Sequence, residues 1–273
     1  MKQTEIELIK EKYFYQRNKK EKRNKKKNLT EYNDKFNKTQ KIFSKSNYDK
    51  KIILTYLKNY NRNGYYIKNK KHKKITNSYF FKENLKEIIN ILKKFSNNKT
   101  DIFELGSGFG RIIFSLLFHE FNKFRKFYAC DFNITGLKII NKISRKYKFN
   151  IKTIKYDFLN LKDLKFVKRN SIIFTYNSIM CIPNLKKSFF KLILKKKPKI
   201  VIHFEATYIN KPKNTLEKLS KKYFNNCDYN KIFINQLIEL KKENKINLKI
   251  IDRNFSSNIL LNEKIIIWEP KII

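Results

Sequence analysis

Glycine, proline and cysteine are all scarce in this sequence of 273 residues, which contains five, four and three of them. The cysteines, Cys130, Cys181 and Cys227, are far apart, form no Cys-x-x-Cys pair and have no histidine at ligand spacing. This pattern argues against a disulfide framework and a zinc site, so we predict no metal. The first thirty residues are charged throughout, and no apolar run approaches membrane-spanning length. We therefore expect a cytoplasmic protein with no membrane span.

Acidic residues are scarce too. Asp and Glu number 23 against 64 Lys and Arg, which gives a formal net charge of +41. Such a charge is typical of proteins that bind nucleic acids or anionic membrane surfaces. However, only eight of the basic residues are arginine, and the abundance of Lys, Asn, Ile, Phe and Tyr matches AT-rich coding. We attribute about half of the basic excess to composition, which weakens the inference of a nucleic-acid partner.

Three of the five glycines lie within five residues, at Gly106, Gly108 and Gly110. An apolar run, residues 102–105, precedes them, and an amphipathic segment, residues 112–121, follows at once. This pattern predicts a strand, a tight turn and a helix. Glycine is needed where backbone takes positive φ or where a ligand lies against it, and the N-terminus of the following helix offers unpaired N–H groups.

The glycine spacing distinguishes between kinds of nucleotide-binding loop. A dinucleotide fingerprint needs a third glycine where Arg111 stands, and a phosphate loop ending in Gly-Lys-Ser/Thr is absent. What remains is Glu-x-Gly-x-Gly-x-Gly, beginning at Glu104. In these residues the chain resembles the class I (Rossmann-like) S-adenosylmethionine-dependent methyltransferases, whose first motif has this form. A glycine-rich turn without any ligand is the alternative.

After the glycines, apolar strands and amphipathic helices alternate. The predicted strands there are 127–130, 151–156, 171–176, 199–204, 248–252 and 263–268, and the predicted helices are 135–147, 184–194, 215–224 and 230–243. A further helix, 83–95, is predicted before the glycines. The last two strands are joined by a loop too short for a helical crossover, so they must be antiparallel. We predict an α/β fold: a doubly wound, seven-stranded, mostly parallel sheet with an antiparallel C-terminal strand. The methyltransferase domain would cover residues 83–273, and residues 1–82 would form a basic, helical N-terminal extension or lid.

In open sheets of this kind, ligands lie across the carboxyl ends of the strands. The resemblance implies S-adenosyl-L-methionine as methyl donor, with its methionine end near Glu104 and the glycine turn. It assigns the ribose to Asp131 and the adenine to Asp157 and Phe158, although either aspartate can instead cap a helix or turn. Arg111 is either a cation for the donor carboxylate or a surface residue. The predicted cofactor-binding residues are Glu104, Gly106, Ser107, Gly108, Gly110, Asp131, Phe132, Asp157, Phe158 and Tyr176.

The acceptor side is expected beyond the fourth and fifth strands. In the family this edge faces the transferred methyl group, which implies substrate-binding roles for Asn177 and Tyr208. The Asn/Asp-Pro-Pro-Tyr signature of enzymes that methylate base amino groups is absent. His203 and Glu205 share one face of a strand, so we predict that His203 is a general base and that Glu205 orients it or binds substrate. The alternative is a packed, hydrogen-bonded core histidine.

The sequence thus favours a methyltransferase acting on a hydroxyl of a small molecule or sugar. An RNA methyltransferase is the first alternative, with the basic clusters at residues 19–27 and 68–74 contacting phosphates. The second alternative is a non-catalytic nucleic-acid binding or scaffolding protein on a methyltransferase-like fold. The sequence does not indicate an oligomeric state.

Overall fold

A computed structural model describes residues 25–60, 64–68, 71–97, 99–119, 121 and 126–271. The helices are α1 (Lys25–Lys45), α2 (Lys50–Asn59), α3 (Asn77–Phe95), α4 (Arg111–Phe118), α5 (Ile134–Tyr147), α6 (Lys187–Lys195), α7 (Thr215–Asn226) and α8 (Phe233–Lys242). The strands are β1 (Gly64–Lys68), β2 (Lys71–Ile75), β3 (Asp101–Leu105), β4 (Lys126–Asp131), β5 (Ile151–Lys155), β6 (Ile172–Tyr176), β7 (Ile200–Ala206), β8 (Ile246–Asp252), β9 (Phe255–Ser256) and β10 (Glu263–Pro270). Short 3₁₀ turns at Leu161–Phe166 and Ile179–Cys181 complete the described elements.

The main sheet has seven strands in the order β5-β4-β3-β6-β7-β10-β8. Strands β3 to β7 pair in parallel, whereas β10 is antiparallel to both of its neighbours, β7 and β8. The sheet reverses its winding between β3 and β6, where a crevice opens at the carboxyl ends of the strands. This arrangement confirms the predicted fold class, including the antiparallel C-terminal strand.

Both faces of the sheet are covered by helices. Ile102 of β3 packs in the core formed with α1 to α5, and its neighbour Phe103 packs on the opposite face with α6 and α8. Both side chains are fully buried, as expected for a parallel strand with helices on both sides. The carboxyl ends of β3 to β7 therefore meet at one edge, between the two helical layers.

The N-terminal region packs into the same core as the sheet. Phe43 of α1 and Ile53 of α2 are fully buried in it, so the predicted helical segments are present in the described part of this region. Strands β1 and β2 form a hairpin that pairs with β9, which makes a second, three-stranded sheet that the sequence did not predict. Helix α3 begins at Asn77, with Thr76 as its N-cap, and crosses the predicted boundary at residue 83.

Part of the predicted basic surface lies outside the described residues. Residues 19–24 of the first basic cluster and residues 69 and 70 of the second belong to that part. Within the described ranges, no helix is both long enough and apolar enough to cross a membrane.

Candidate functional site

A cavity of about 560 Å³ opens at the carboxyl edge of the main sheet. It brings together nine of the ten residues predicted to bind a cofactor, together with the predicted substrate residue Asn177. The nine are Glu104, Gly106, Ser107, Gly108, Asp131, Phe132, Asp157, Phe158 and Tyr176. Gly110 is not among the lining residues and is instead the N-cap of α4. The cavity lies at the reversal point of the winding, where open α/β sheets hold their ligands.

The turn between β3 and α4 forms part of the cavity wall. It folds back on the end of β4, because the N–H groups of Gly106 and Ser107 donate to the carbonyl oxygen of Cys130 at 2.8 and 3.1 Å. Gly106 and Gly108 have φ values of +78° and +57°, in the left-handed region that favours glycine. A Cβ on Gly106 would lie 2.4 Å from the Cβ of Ser178. The turn therefore presents bare backbone to the cavity.

Asp131 joins this turn to the start of α5. Its Oδ2 accepts from the N–H of Gly108 at 2.8 Å, and its Oδ1 accepts from the N–H of Asn133 at 2.8 Å. Burial raises the pKa of Asp131 to about 6, and these backbone N–H groups oppose the rise. Asn133, not Asp131, caps α5 by accepting from the N–H of Gly136. The alternative role of Asp131 as the helix cap is thereby taken by Asn133.

Glu104 lies at the end of β3 and is almost completely buried, with 2% of its surface exposed. Burial raises the pKa of its carboxyl well above the usual value, and the nearby Arg111 guanidinium only partly opposes this. Its Oε2 has no hydrogen-bond partner among the described residues, and neither does the buried Oγ of Ser107. Because buried polar atoms usually have partners, these two atoms indicate a polar ligand.

The end of β5 supplies a carboxylate and an aromatic ring. Asp157 Oδ1 accepts from the N–H of Leu159 at 3.0 Å, so this side chain does stabilise its own turn. Phe158 is buried against the glycine turn, since a Cβ on Gly106 would lie 3.3 Å from its ring. Its ring also contacts those of Tyr156 and Phe189, at 5.2 and 5.5 Å between centroids. The adenine roles predicted for these residues are compatible with their position and stay predictions.

The loop after β6 faces the glycine turn. Asn177 has a φ of +48° and lines the cavity, and its buried Oδ1 has no partner within the described part of the chain. The backbone N–H of Asn177 donates to the carbonyl oxygen of Phe204 at 2.9 Å. Ser178 Oγ donates to the carbonyl oxygen of Leu105 at 3.1 Å, which ties this loop to the end of β3.

Glu205 forms hydrogen bonds with the same loop but does not line the cavity. Its carboxylate accepts from the N–H groups of Ser178, Ile179 and Met180 at 2.9, 3.1 and 3.1 Å, and its side chain is fully buried. The Oγ of Ser178 also lies 3.3 Å from this carboxylate. The predicted substrate contact is therefore corrected, because the contacts of Glu205 are to this loop and to Thr175. Glu205 positions a cavity loop.

His203 also lies outside the cavity lining. Its Nε2 lies 2.9 Å from Nε1 of Trp268. Because an indole N–H can only donate, Nε2 of His203 accepts this hydrogen bond. The proton is then on Nδ1, which donates to Thr175 Oγ1 at 3.0 Å. Burial lowers the pKa of His203 to about 3. A general base must reach the proton that it removes, so the predicted base is corrected to the alternative, a packed and hydrogen-bonded core histidine.

We expect His203→Ala to lower the free energy of unfolding by about 3 kcal/mol, because it leaves a cavity and an unpaired indole N–H. Its affinity for S-adenosylhomocysteine should stay within about twofold of the wild-type value. Chemical denaturation and calorimetry measure the two quantities. His119→Ala is the control: His119 is exposed and would lose one hydrogen bond to Ser115, so stability should fall by no more than about 1 kcal/mol. If His203→Ala kept normal stability but had no methyltransferase activity, the prediction that His203 is a general base would be supported again.

Tyr208 is the remaining predicted substrate residue. It packs against Phe224, with ring centroids 6.1 Å apart, and lies near the ammonium groups of Lys221 and Lys231. It does not belong to the cavity lining. Of the two predicted substrate residues only Asn177 lines the cavity, and the substrate role of Tyr208 stays a prediction.

Helix α1 covers the cavity, and the sequence did not identify the residues that do so. Tyr32 and Phe36 of α1 and Tyr60 after α2 line it. Phe36 lies over the glycine turn, since a Cβ on Gly108 would be 3.2 Å from its ring. The sequence indicated this cover only in general terms, by the predicted lid over residues 1–82 and by the aromatic residues scattered through this polar segment.

Arg111 is part of the cavity wall. Its guanidinium lies between two aromatic rings, 5.2 Å from the centroid of Tyr60 and 5.0 Å from that of Tyr176. A cation over a ring face is favourable, and the same position lets the guanidinium face an anionic group in the cavity. Of the two alternatives from the sequence, the structure places Arg111 in the cavity lining.

A buried polar network behind Tyr176 was also missed. Tyr176 donates to Asn84 Oδ1 at 3.0 Å, and the same oxygen accepts from Arg253. The Arg253 guanidinium also donates to Glu87 at 2.7 Å and to Glu263 at 2.8 Å. The side chains of Arg253 and Glu263 are both 0% exposed. Such a network fixes the position of the Tyr176 ring in the cavity wall.

Comparisons with known proteins show likeness at the level of structure. No family model matches the sequence, and no curated protein matches it. Among solved structures, a small RNA methyltransferase aligns with a TM-score of 0.53 and 17% identity over 70% of this chain, but only 25% of that one. Phosphoethanolamine N-methyltransferase 2 of Haemonchus contortus has a TM-score of 0.50 and 14% identity over 71% of this chain and 57% of that one.

Magnesium protoporphyrin IX methyltransferase of Synechocystis PCC 6803 has a TM-score of 0.50 and 7% identity, over 71% of this chain and 81% of the other. The acceptors named for these three proteins are unrelated to one another. What the three have in common with the chain is the fold. This chain thus has the Rossmann-like fold of the class I S-adenosylmethionine-dependent methyltransferases.

Proposed function

We propose that the protein is a methyltransferase that uses S-adenosyl-L-methionine as methyl donor. The observation that carries the proposal is the cavity at the switch point of the sheet, which gathers the predicted donor residues and contains three buried polar atoms without a described partner. These atoms are Glu104 Oε2, Ser107 Oγ and Asn177 Oδ1. A ligand with several polar groups satisfies such atoms, whereas an apolar ligand does not.

The residues present fit the donor. Asp131 uses one lone pair of each oxygen for backbone N–H groups, so each oxygen keeps a second lone pair for a ribose hydroxyl. The unpaired oxygen of Glu104 suits the ammonium of the methionine part. Its raised pKa means that a cation beside it favours the ionised form. The guanidinium of Arg111 suits the carboxylate, and the Asp157 and Phe158 pair suits the adenine.

The donor brings an activated methyl group on a sulfonium, so the protein supplies mainly alignment. Alignment of two reactants can lower the activation free energy by about 7 to 11 kcal/mol. In this chain Glu205 fixes the loop that carries Asn177, and the Arg253 network fixes Tyr176. Helix α1 covers part of the opening, with Tyr32 and Phe36 in the cavity wall. These groups hold the walls rigid on three sides of the cavity.

For the acceptor we propose a small molecule or sugar, because the cover formed by α1 and Tyr60 leaves a confined space. The hydroxyl expected from the sequence depended on His203 as base. With His203 in the core, an amine that loses its proton to water fits the geometry better, since a hydroxyl needs a base. A hydroxyl acceptor would require a cavity carboxylate or tyrosine in that role.

RNA methylation is the second candidate, and the net charge of +41 favours it. The basic residues would contact phosphates, so affinity for RNA would fall steeply as salt is raised, with a log–log slope of about −0.7 for each contact in a single strand. A non-catalytic binding or scaffolding protein is the third. It would share the fold but bind no donor.

Two measurements test these proposals. Calorimetry with S-adenosylhomocysteine tests the donor site, and no detectable binding would favour the non-catalytic protein. Incubation with radiolabelled donor and fractionated cell extract then tests the acceptor. Label in small metabolites supports our proposal, whereas label in the RNA fraction, lost as salt is raised, supports the second candidate.

A further inference from the structure

A groove on the outer surface, away from the cavity, is formed by α2, α3 and the end of α4. It has a volume of about 880 Å³. Its floor is apolar and consists of Leu54, Phe81, Leu85 and Ile89. Leu85 is buried, whereas the other three are half-buried. We call this surface the α2–α3 groove. It consists of these four residues and of five lysines, Lys50, Lys51, Lys58, Lys82 and Lys86.

Lysines line both sides of this apolar floor. Lys50, Lys51 and Lys58 stand on the α2 side, and Lys82 and Lys86 on the α3 side. All five are exposed, and none forms an ion pair with a described residue. Asp49 is the one carboxylate among the groove residues, and its Oδ1 accepts from the N–H of Ile52 as the cap of α2. The groove therefore keeps an uncompensated positive rim.

We propose that the α2–α3 groove binds an acidic amphipathic helix of a partner protein. An apolar floor between two basic rims is complementary to a helix with one apolar stripe flanked by carboxylates. The groove is concave, so the convex apolar side of a helix can fill it. Binding to a lipid bilayer would instead require apolar side chains that protrude from the protein surface. Lysines occur over most of this basic surface, but here they flank half-buried leucine, isoleucine and phenylalanine. Nucleic acid would use the lysines and not the apolar floor.

His119, at one end of the groove, favours one orientation of the bound helix. Its ring lies 5.9 Å from that of Phe81, and its Nδ1 is 2.8 Å from the carbonyl oxygen of Ser115. A carbonyl can only accept, so Nδ1 carries the proton, and in the neutral ring Nε2 is an acceptor. A helix whose N-terminal N–H groups reach this end would find both a ring surface and an acceptor.

The test uses a fluorescein-labelled model peptide of about 18 residues with leucines at i, i+3, i+4 and i+7 and glutamates on both flanks. A scrambled peptide of the same composition and a labelled uridine oligonucleotide are the other probes. Fluorescence anisotropy in about 0.15 M salt gives affinities for the full-length protein. We expect the amphipathic peptide to bind about tenfold more tightly than the scrambled one.

The double variant Lys51→Glu/Lys82→Glu should bind the amphipathic peptide about tenfold more weakly than the wild type. The matched control is Lys191→Glu/Lys218→Glu, which makes the same change in net charge at exposed positions on α6 and α7 and should change affinity less than twofold. Leu54→Gln tests the floor and should also weaken binding. Equal losses in both double variants, or equal binding of both peptides, would overturn the proposal. So would a loss confined to the oligonucleotide, which would assign the lysines to nucleic acid.

Discussion

Asp131→Asn should bind S-adenosylhomocysteine about 100-fold more weakly than the wild type. The substitution replaces one carboxylate oxygen by an amide NH₂, which cannot accept from a ribose hydroxyl. Whichever way the amide is turned, its NH₂ also faces an N–H group, that of Gly108 or of Asn133. Isothermal titration calorimetry at about pH 8 measures the loss.

Asp101→Asn is the matched control for this substitution. Asp101 begins β3, at the opposite edge of the sheet, where its Oδ2 accepts from Lys168 at 2.7 Å. The same chemical change there should alter affinity less than twofold, because a salt bridge with an exposed lysine contributes little. If Asp131→Asn bound the nucleoside as tightly as Asp101→Asn, the assignment of the ribose to Asp131 would be refuted.

The pH dependence provides an independent check on the same carboxylate. Burial raises the pKa of Asp131 from 3.8 to about 6, so the folded protein binds this proton more tightly than the unfolded chain. The stability that this group contributes therefore decreases as pH rises from about 4 to about 6. Affinity for S-adenosylhomocysteine should increase over the upper part of this range, since the ionised form accepts hydrogen bonds better. Asp131→Asn should remove the part of that increase that is due to Asp131, and the other buried carboxyl of the cavity, Glu104, would account for what is left.

The elements with strong periodicity could be predicted almost to the residue. The predicted helix at 135–147 is α5, Ile134–Tyr147, because its apolar positions recur at helical spacing along its full length. The start of α3 was predicted six residues late, at 83 instead of Asn77. Its first turn contains the exposed Ser78 and Tyr79, which give no apolar periodicity. Only Thr76, whose Oγ1 accepts from the N–H of Tyr79, marks that start.

The donor side of the site was predictable because it is local in sequence. The glycine turn and the carboxylates at the ends of β4 and β5 each follow directly from a strand end, and the fold brings all strand ends to one edge. The roles of His203 and Glu205 depend on residues distant in sequence. Trp268 supplies the partner of His203 from β10, 65 residues along the chain, and β7 is buried over its whole length. Periodicity places His203 on a face but does not say what covers that face.

These two residues nevertheless belong to one buried chain of hydrogen bonds that ends at the cavity. Trp268 donates to His203, His203 donates to Thr175, and the Thr175 hydroxyl bonds to Glu205. Glu205 in turn holds the backbone that follows Asn177. The sequence pattern selected a strand whose side chains hold a cavity loop in place, and not the proton transfer that we predicted from it.

The loop that follows Asn177 should also make the protein sensitive to a substitution in the glycine turn opposite it. We expect Gly106→Ala to lower the free energy of unfolding by about 3 to 5 kcal/mol. Part of the cost is the positive φ of +78°, and the rest is the approach of the new Cβ to the Cβ of Ser178, at 2.4 Å. Ser178 cannot move aside easily, because it bonds to Leu105 and to Glu205. Urea denaturation measures the loss.

Gly108→Ala separates the two contributions to this cost. Gly108 also has a positive φ, +57°, but its new Cβ would meet only the ring of Phe36, at 3.2 Å, and a ring at the end of a side chain can shift. We expect a loss of about 1 to 2 kcal/mol for this variant. The difference between the two variants then measures how firmly Glu205 holds the opposite wall. Equal losses would mean that the loop after β6 yields freely, and that the cavity is not the rigid site on which alignment of a methyl donor depends.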